Sequence, residues 1–203
     1  MNAYVLWCEQ THEALLVDPG DEIDRLAEAV DSESVNLKQI VLTHAHIDHV
    51  MRASVAQERF DLPVFMHRDD QKLLDNLPAQ AAMLGLGLGE EVVPPKLAGF
   101  LAEGETVTIG RHSMKVVHTP GHSLGSITLL TNELAVVGDV LFRGSIGRTD
   151  LPGGSMEVLM ASIRTKLLPL DDTVIVLSGH GEESTIGFER VHNPFLNGSI
   201  PLS

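Results

Sequence analysis

The chain reads as an α/β protein with two sheets and helices packed outside them. Three observations predict this. Short apolar runs of β-branched type alternate with a one-faced helical segment in the first half. From residue 106 the pattern turns to a run of short strands, then returns to helix and strand. With 43% hydrophobic residues over 203 positions, the chain can fill a sizeable core. No internal repeat, low-complexity tract or linker divides it, so residues 1–203 are expected to form a single domain.

Taken in order, residues 4–8 and 13–17 read as two short strands ended by the turn Asp18-Pro19-Gly20. Ile23, Leu26, Ala27 and Val30 then recur at helical spacing, predicting a helix over 21–31. Ile40-Val41-Leu42 is a short buried strand that runs straight into a histidine-rich segment. Residues 50–59 read as a helix and 64–66 as a strand. Residues 70–100 read as a loop or helix-and-loop excursion. Gly85, Gly87 and Gly89 alternate with leucine there, but no strand leads in and no Lys-Ser/Thr follows, so a phosphate-binding loop is not expected. Strands follow at 106–109, 114–118, 126–130 and 135–137, then a helix at 155–167 and a strand at 173–177.

The formal net charge of −14 argues against a nucleic-acid or anionic-membrane partner, because both need clustered Lys and Arg. No apolar run is long enough to cross a bilayer, and no signal peptide is expected. A single cysteine, Cys8, excludes an internal disulfide and fits the cytoplasm.

The chemistry concentrates in Thr43 to His49, where His44, His46, Asp48 and His49 fall within six positions. Imidazole nitrogen and carboxylate oxygen are what a cation such as zinc accepts. Residues two apart on an extended stretch point the same way, so His44 and His46 can share one ion. Asp48 and His49 lie where the chain turns into a helix and would reach a second. Three later residues repeat the placement: His122, Asp139 and His180 each follow a glycine just past a strand end. Five histidines and two aspartates exceed one four-coordinate site. They fit two divalent ions: His44, His46 and His122 on the first, Asp48, His49 and His180 on the second, Asp139 bridging. His12, His67, His112 and His192 read as structural or solvated. His118, four residues before His122, is a weaker candidate for contact with the site.

In type and order, Thr43 to His49, Thr119-Pro120-Gly121-His122-Ser123, Gly138-Asp139 and Ser178-Gly179-His180-Gly181 resemble the metallo-β-lactamase fold superfamily. Val17-Asp18-Pro19-Gly20 is similar to its early turn. The segments 141–154, 167–170 and 189–196 look like the short bacterial type II glyoxalases, the hydroxyacylglutathione hydrolases. The resemblance implies a four-layer αββα sandwich with a two-metal site at one edge. It also implies cleavage of S-D-lactoylglutathione, or a related thioester, to glutathione and a hydroxy acid. Zinc is the first choice of metal, with iron or manganese as alternatives. Ala45 stands where the group has Gly. Only about two strands fit before Asp18, and the C-terminal helical domain of the longer enzymes is not expected here.

The reaction implied is attack of a metal-activated hydroxide on the thioester carbonyl, with Asp48 holding the second ion and orienting the nucleophile. Arg148 and Arg143 are expected to bind the glutathione carboxylates, because guanidinium grips carboxylate in a bidentate way. A monomer suffices for this reading. The closest rival is a persulfide dioxygenase of the same superfamily, with one iron held by His44, His46, His122 and Asp139. A β-lactamase is disfavoured by the bridging Asp139, a nuclease by the acidic charge, and a non-catalytic binding protein by the intact ligand set.

Overall fold

The computed structural model describes residues 1–83, 85 and 92–200; Gly87 and Gly89 lie outside the described residues. Two compact units are distinguishable. The first comprises Met1, residues 3–101 and 107–113, and the second Asn2, residues 102–106 and 114–203.

The first unit opens with β1 (Tyr4–Trp7) and β2 (Glu13–Val17), then α1 (Ile23–Ser32) and β3 (Asn36–Val41). Next come α2 (Ile47–Val50), α3 (Ala53–Phe60), β4 (Val64–Met66), α4 (Gln71–Asp75), α5 (Leu77–Met83) and β5 (Leu97–Phe100). The five strands form one sheet in the order β1-β2-β3-β4-β5. β1 and β2 pair as an antiparallel hairpin, while the β2–β3, β3–β4 and β4–β5 pairs are parallel. Ala14 to Val17 are all buried, as expected of a strand flanked on both sides and covered on both faces. α1 buries Ile23, Ala27 and Val30, the predicted stripe, and joins a core with Leu16, Ile40, Leu42, Val64 and Met66. β3 starts four residues before the apolar run, because Asn36 to Gln39 continue the ladder with polar residues interleaved. The expected helix at 50–59 is two helices, broken at Met51 and Arg52.

The later elements are β6 (Thr106–Ile109), β7 (His112–His118), β8 (Ile127–Leu130), β9 (Leu134–Gly138) and the short hairpin of β10 (Leu141–Phe142) and β11 (Ser145–Ile146). α6 (Met156–Ser162), β12 (Ile175–Ser178), β13 (Ser184–Thr185) and α7 (Ile186–His192) complete the chain. The second main sheet has the order β13-β12-β9-β8-β7-β6. β7, β8 and β9 form an antiparallel meander, and β12 returns parallel to β9. The core of this unit gathers Val137, Leu141, Leu159, Ile163, Leu167, Val176 and Ile186. The helix expected at 155–167 ends as α6 at Ser162 and continues as a π turn over Ile163–Leu167, closed by Leu168 N–H on Ile163 O at 2.9 Å.

Glu189 and Asn193, one helical turn apart and fully buried, fasten the β10–β11 hairpin. Glu189 accepts from Gly144 N at 2.9 Å, from Asn193 Nδ2 at 2.7 Å and from the Ser184 hydroxyl, and Asn193 donates to Ser145 O at 2.9 Å. Neither the hairpin nor α7 was predicted as an element. Two main sheets with helices give the expected α/β class. Among the described residues, no helix is long and apolar enough to cross a membrane.

Candidate metal centre

In the first unit, β3 delivers the chain to Thr43 at its C-terminal end, where parallel sheets commonly bind ligands. His44, His46 and His49 are at most 7% exposed. The His44 ring lies 4.9 Å from that of His46 and 4.1 Å from that of His49. Asp48 and His49 sit in α2, and Asp48 Oδ2 is 3.6 Å from His49 Nε2. The carbonyl of Asp48 is packed so closely on Gly20 that a Cβ there would stand 1.8 Å from it, which explains the glycine after Asp18-Pro19.

Asp18 organises this loop. Its Oδ1 accepts from Thr43 N at 2.7 Å and its Oδ2 from the Thr43 hydroxyl at 2.6 Å. Oδ2 also lies 2.9 Å from His49 Nδ1. A carboxylate only accepts, so the His49 proton sits on Nδ1 and Nε2 presents a lone pair. Because the Thr43 hydroxyl gives its proton to Asp18, its oxygen accepts from His44 Nδ1 at 3.1 Å. His44 therefore also keeps Nε2 as its ligand atom. Anchoring one ring nitrogen on protein is how metal-binding histidines are commonly oriented.

In the second unit, His122 follows β7 on a turn, Asp139 directly follows β9, and His180 follows β12. His122 Nδ1 lies 2.8 Å from the carbonyl of Arg148, which can only accept, so again Nε2 carries the lone pair. Asp139 Oδ2 lies 3.6 Å from His122 Nε2 and 3.6 Å from His180 Nε2. Its carboxylate thus stands between two imidazoles. Gly147 is required beside them, since a Cβ there would meet Asp139 O at 1.9 Å and His122 Nδ1 at 3.2 Å.

These spacings suit cations. Two ligand atoms each about 2.0–2.2 Å from one tetrahedral zinc lie about 3.3–3.6 Å apart. The His49–Asp48, His122–Asp139 and His180–Asp139 separations are each 3.6 Å, too long for a hydrogen bond and right for sharing an ion. A lone pair facing a carboxylate at that distance is repulsive unless positive charge lies between them. The donor set of imidazoles and carboxylates fits a borderline divalent ion. The predicted residues His44, His46, Asp48 and His49 are thus gathered in the first unit, on the loop after β3 and the helix α2 that follows it, and His122, Asp139 and His180 are gathered in the second.

The two arginines are engaged with the protein's own acids. Arg148 forms a bidentate pair with Asp150 at 2.7 and 2.8 Å. The guanidinium hydrogen bonds pull the Asp150 carboxyl down to about 2 and raise Arg148. Arg143 stacks on the Phe188 ring at 4.4 Å, donates to Glu183 O at 3.0 Å and stands 3.7 Å from Glu182. Sequence reading missed Asp18, which it treated as a turn residue. It also missed Asp70, 1% exposed, whose Oδ2 accepts from Ala45 N at 3.0 Å. For Asp18 the available signal was a charged residue directly after the apolar run Ala14 to Val17; Asp70, inside the polar run Arg68 to Lys72, carried none.

The family model described as the metallo-beta-lactamase superfamily matches residues 2–180. Hydroxyacylglutathione hydrolase GloC of Haemophilus influenzae is 40% identical over 97% of this chain and 92% of its own length. A protein of Bacillus subtilis described as the probable metallo-hydrolase YqgX is 39% identical over the same shares, 97% and 92%. Among solved structures, BLEG-1 B3 metallo-beta-lactamase is similar at a TM-score of 0.88 and 40% identity, over 97% of this chain and 94% of that one. TTHA1623 in a di-iron-bound form is similar at 0.85 and 36%, over 96% and 94%.

Proposed function

The chain belongs to the metallo-β-lactamase superfamily, and within it we propose a two-metal hydrolase of glutathione thioesters, with S-D-lactoylglutathione or a related hydroxyacylglutathione as substrate. The observation that carries the two-metal reading is Asp139, one carboxylate oxygen of which stands 3.6 Å from an imidazole nitrogen on each side. The proposal unites the ligand sets in one centre. His44, His46 and His122 serve one ion, Asp48, His49 and His180 the other, and Asp139 both. Zinc is the first choice, and the di-iron form of a 36% identical relative makes iron the alternative. A cytoplasmic location belongs to this reading, and the lone cysteine, which allows no internal disulfide, is compatible with it.

Bound cations would acidify a water from a pKa of 15.7 toward about 7 and polarise the thioester carbonyl. The chain's own groups do the rest. Asp18, Thr43 and the Arg148 carbonyl hold the Nδ1 protons of His49, His44 and His122, which keeps three Nε2 lone pairs aimed outward from their anchors. Asp48, with its side chain 46% exposed, accepts a hydrogen bond from the attacking water and orients it toward the carbonyl carbon. The departing thiolate needs no general acid, because an ordinary thiol has a pKa of about 8.5. Arg148 and Arg143 take the substrate carboxylates by exchange for Asp150 and Glu182.

Metal content by elemental analysis, measured with turnover, tests this reading. The expected result is two divalent ions per chain and hydrolysis of S-D-lactoylglutathione above non-glutathione thioesters and β-lactams, with both metal retention and activity lost in His46→Ala. One iron per chain with oxygen consumption on a glutathione persulfide would establish the dioxygenase instead. Preferred β-lactam hydrolysis, the activity after which the 40% identical BLEG-1 is named, would refute the thioester assignment.

A further inference from the structure

The carboxamide of Gln80, in α5, lies across the backbone of His46. Its Oε1 accepts from Ile47 N at 3.2 Å and its Nε2 donates to Ala45 O at 3.2 Å. These are the carbonyl before His46 and the amide after it. A residue of an adjacent parallel strand would bond the same two groups. One side chain thus supplies, at a single residue, the pairing that β3 loses where its ladder stops at Val41. The second Nε2 proton goes to Leu73 O at 2.8 Å, which fixes the sense of the amide. Rotated by half a turn, its oxygen would face two carbonyls.

His46 needs such a device. Its backbone is extended (φ −71°, ψ 146°), the next residue begins α2, and its side chain is 7% exposed. A small rotation of either flanking peptide would redirect its Cβ, and metal sites demand ligand placement within about 0.5 Å. We propose that Gln80 is a positioning residue for His46, holding both flanking peptides so that the imidazole is aimed before the ion arrives. The inference rests on the reading of His46 as a metal ligand.

The molecule contains its own control. Gln57 grips backbone in the same manner elsewhere in this unit, accepting from Lys96 N at 2.8 Å and donating to Lys96 O at 2.8 Å. Gln80→Met and Gln57→Met both keep side-chain volume and remove the hydrogen bonds. The experiment measures the dissociation constant of each zinc ion by chelator competition, beside Tm, for the full chain and both variants. Gln80→Met is expected to weaken at least one ion about 10- to 100-fold, the range for lost outer partners of ligands. Gln57→Met is expected to lower Tm comparably and leave both ions as in the parent. Gln80→Glu keeps the acceptor for Ile47 and sets an oxygen against the carbonyls of Ala45 and Leu73, so it should bind metal at least as poorly as Gln80→Met. Parental affinity in Gln80→Met, or equal weakening in Gln57→Met, overturns the proposal. A parent chain that takes up no metal would instead sink the ligand assignment on which the proposal stands.

Discussion

Replacing Asp18 with Asn changes one oxygen to an NH2 group and leaves the shape of a 2% exposed side chain intact. The consequence follows from the hydrogen bonds. Asn Oδ1 can still accept from Thr43 N, as Asp18 Oδ1 does at 2.7 Å. The NH2 then occupies the place of Oδ2, facing His49 Nδ1 and the Thr43 hydroxyl oxygen. It can donate to His49 only if Nδ1 gives up its proton, which moves to Nε2. It can donate to Thr43 only if that hydroxyl turns its own proton away; turned toward His44 Nδ1, its neighbouring acceptor, that proton moves the His44 proton to Nε2 as well. Both imidazoles would then present N–H where a metal needs a lone pair. Restoring the metal-competent tautomers sets buried donors against the carboxamide NH2 and costs about 1–3 kcal/mol for each group left unsatisfied. At about 1.4 kcal/mol per tenfold, each ion should bind about 5- to 150-fold more weakly. Asp18→Ala should differ in kind: it strands buried donors and lowers folding stability by about 2–4 kcal/mol. The assay is chelator competition for zinc, with Tm on the same samples. If Asp18→Asn binds both ions as tightly as the parent while staying folded, the tautomer argument fails.

Three further outcomes are expected. Gly147→Ala should lose metal and turnover together, because its Cβ would stand 1.9 Å from Asp139 O and must displace that residue; elemental analysis of the purified variant checks this. Glu189→Ala should cost about 2–4 kcal/mol in urea unfolding, since three donors lose a fully buried acceptor. Asp150→Asn should lower KM for glutathione thioesters and leave kcat and non-glutathione thioesters unaffected, because it releases Arg148; an unchanged KM removes Arg148 from substrate binding. The Asp150 carboxyl is lowered to about 2, so the pair's contribution to stability is present above the ordinary carboxylate range and is lost only as pH falls through about 2. A stability profile between pH 5 and 8 should therefore have the same shape for the parent and Asp150→Asn.

Legibility in the sequence followed the range of the interactions. The seven candidate ligands stood out because His44, His46, His122, Asp139 and His180 sit just past strand ends, which announce themselves by apolar runs or glycines within a few residues, and Asp48 and His49 follow directly in the same short segment. Their supports were not readable. Asp18 reaches Thr43 across 25 positions, Asp70 reaches Ala45 across 25, and Gln80 reaches Ile47 across 33. No local period records a contact at such separation. The same holds for the β10–β11 hairpin, which Glu189 fastens from 45 residues away. There a trace did exist, since Glu189 in α7 and Asn193 at its C-cap are polar residues four positions apart beside the buried Ile186.

The supports also account for the spacing of the motif itself. The three side chains take the amides of Thr43, Ala45 and Ile47, every second residue. In an extended chain, side chains alternate in direction, so an evenly spaced backbone clamp selects one parity. The residues between its points of attachment are His44 and His46. A ligand run with one free position between members is what a clamp of this period requires. Asp48 and His49 fall outside this parity because α2 has begun by Ile47, and from there neighbouring side chains diverge by a helical step instead. An insertion of one alanine between Ala45 and His46 should therefore abolish metal binding outright, since it shifts His46 to the clamped parity. Metal retained in that variant would show that the ligands find their ion without the clamp.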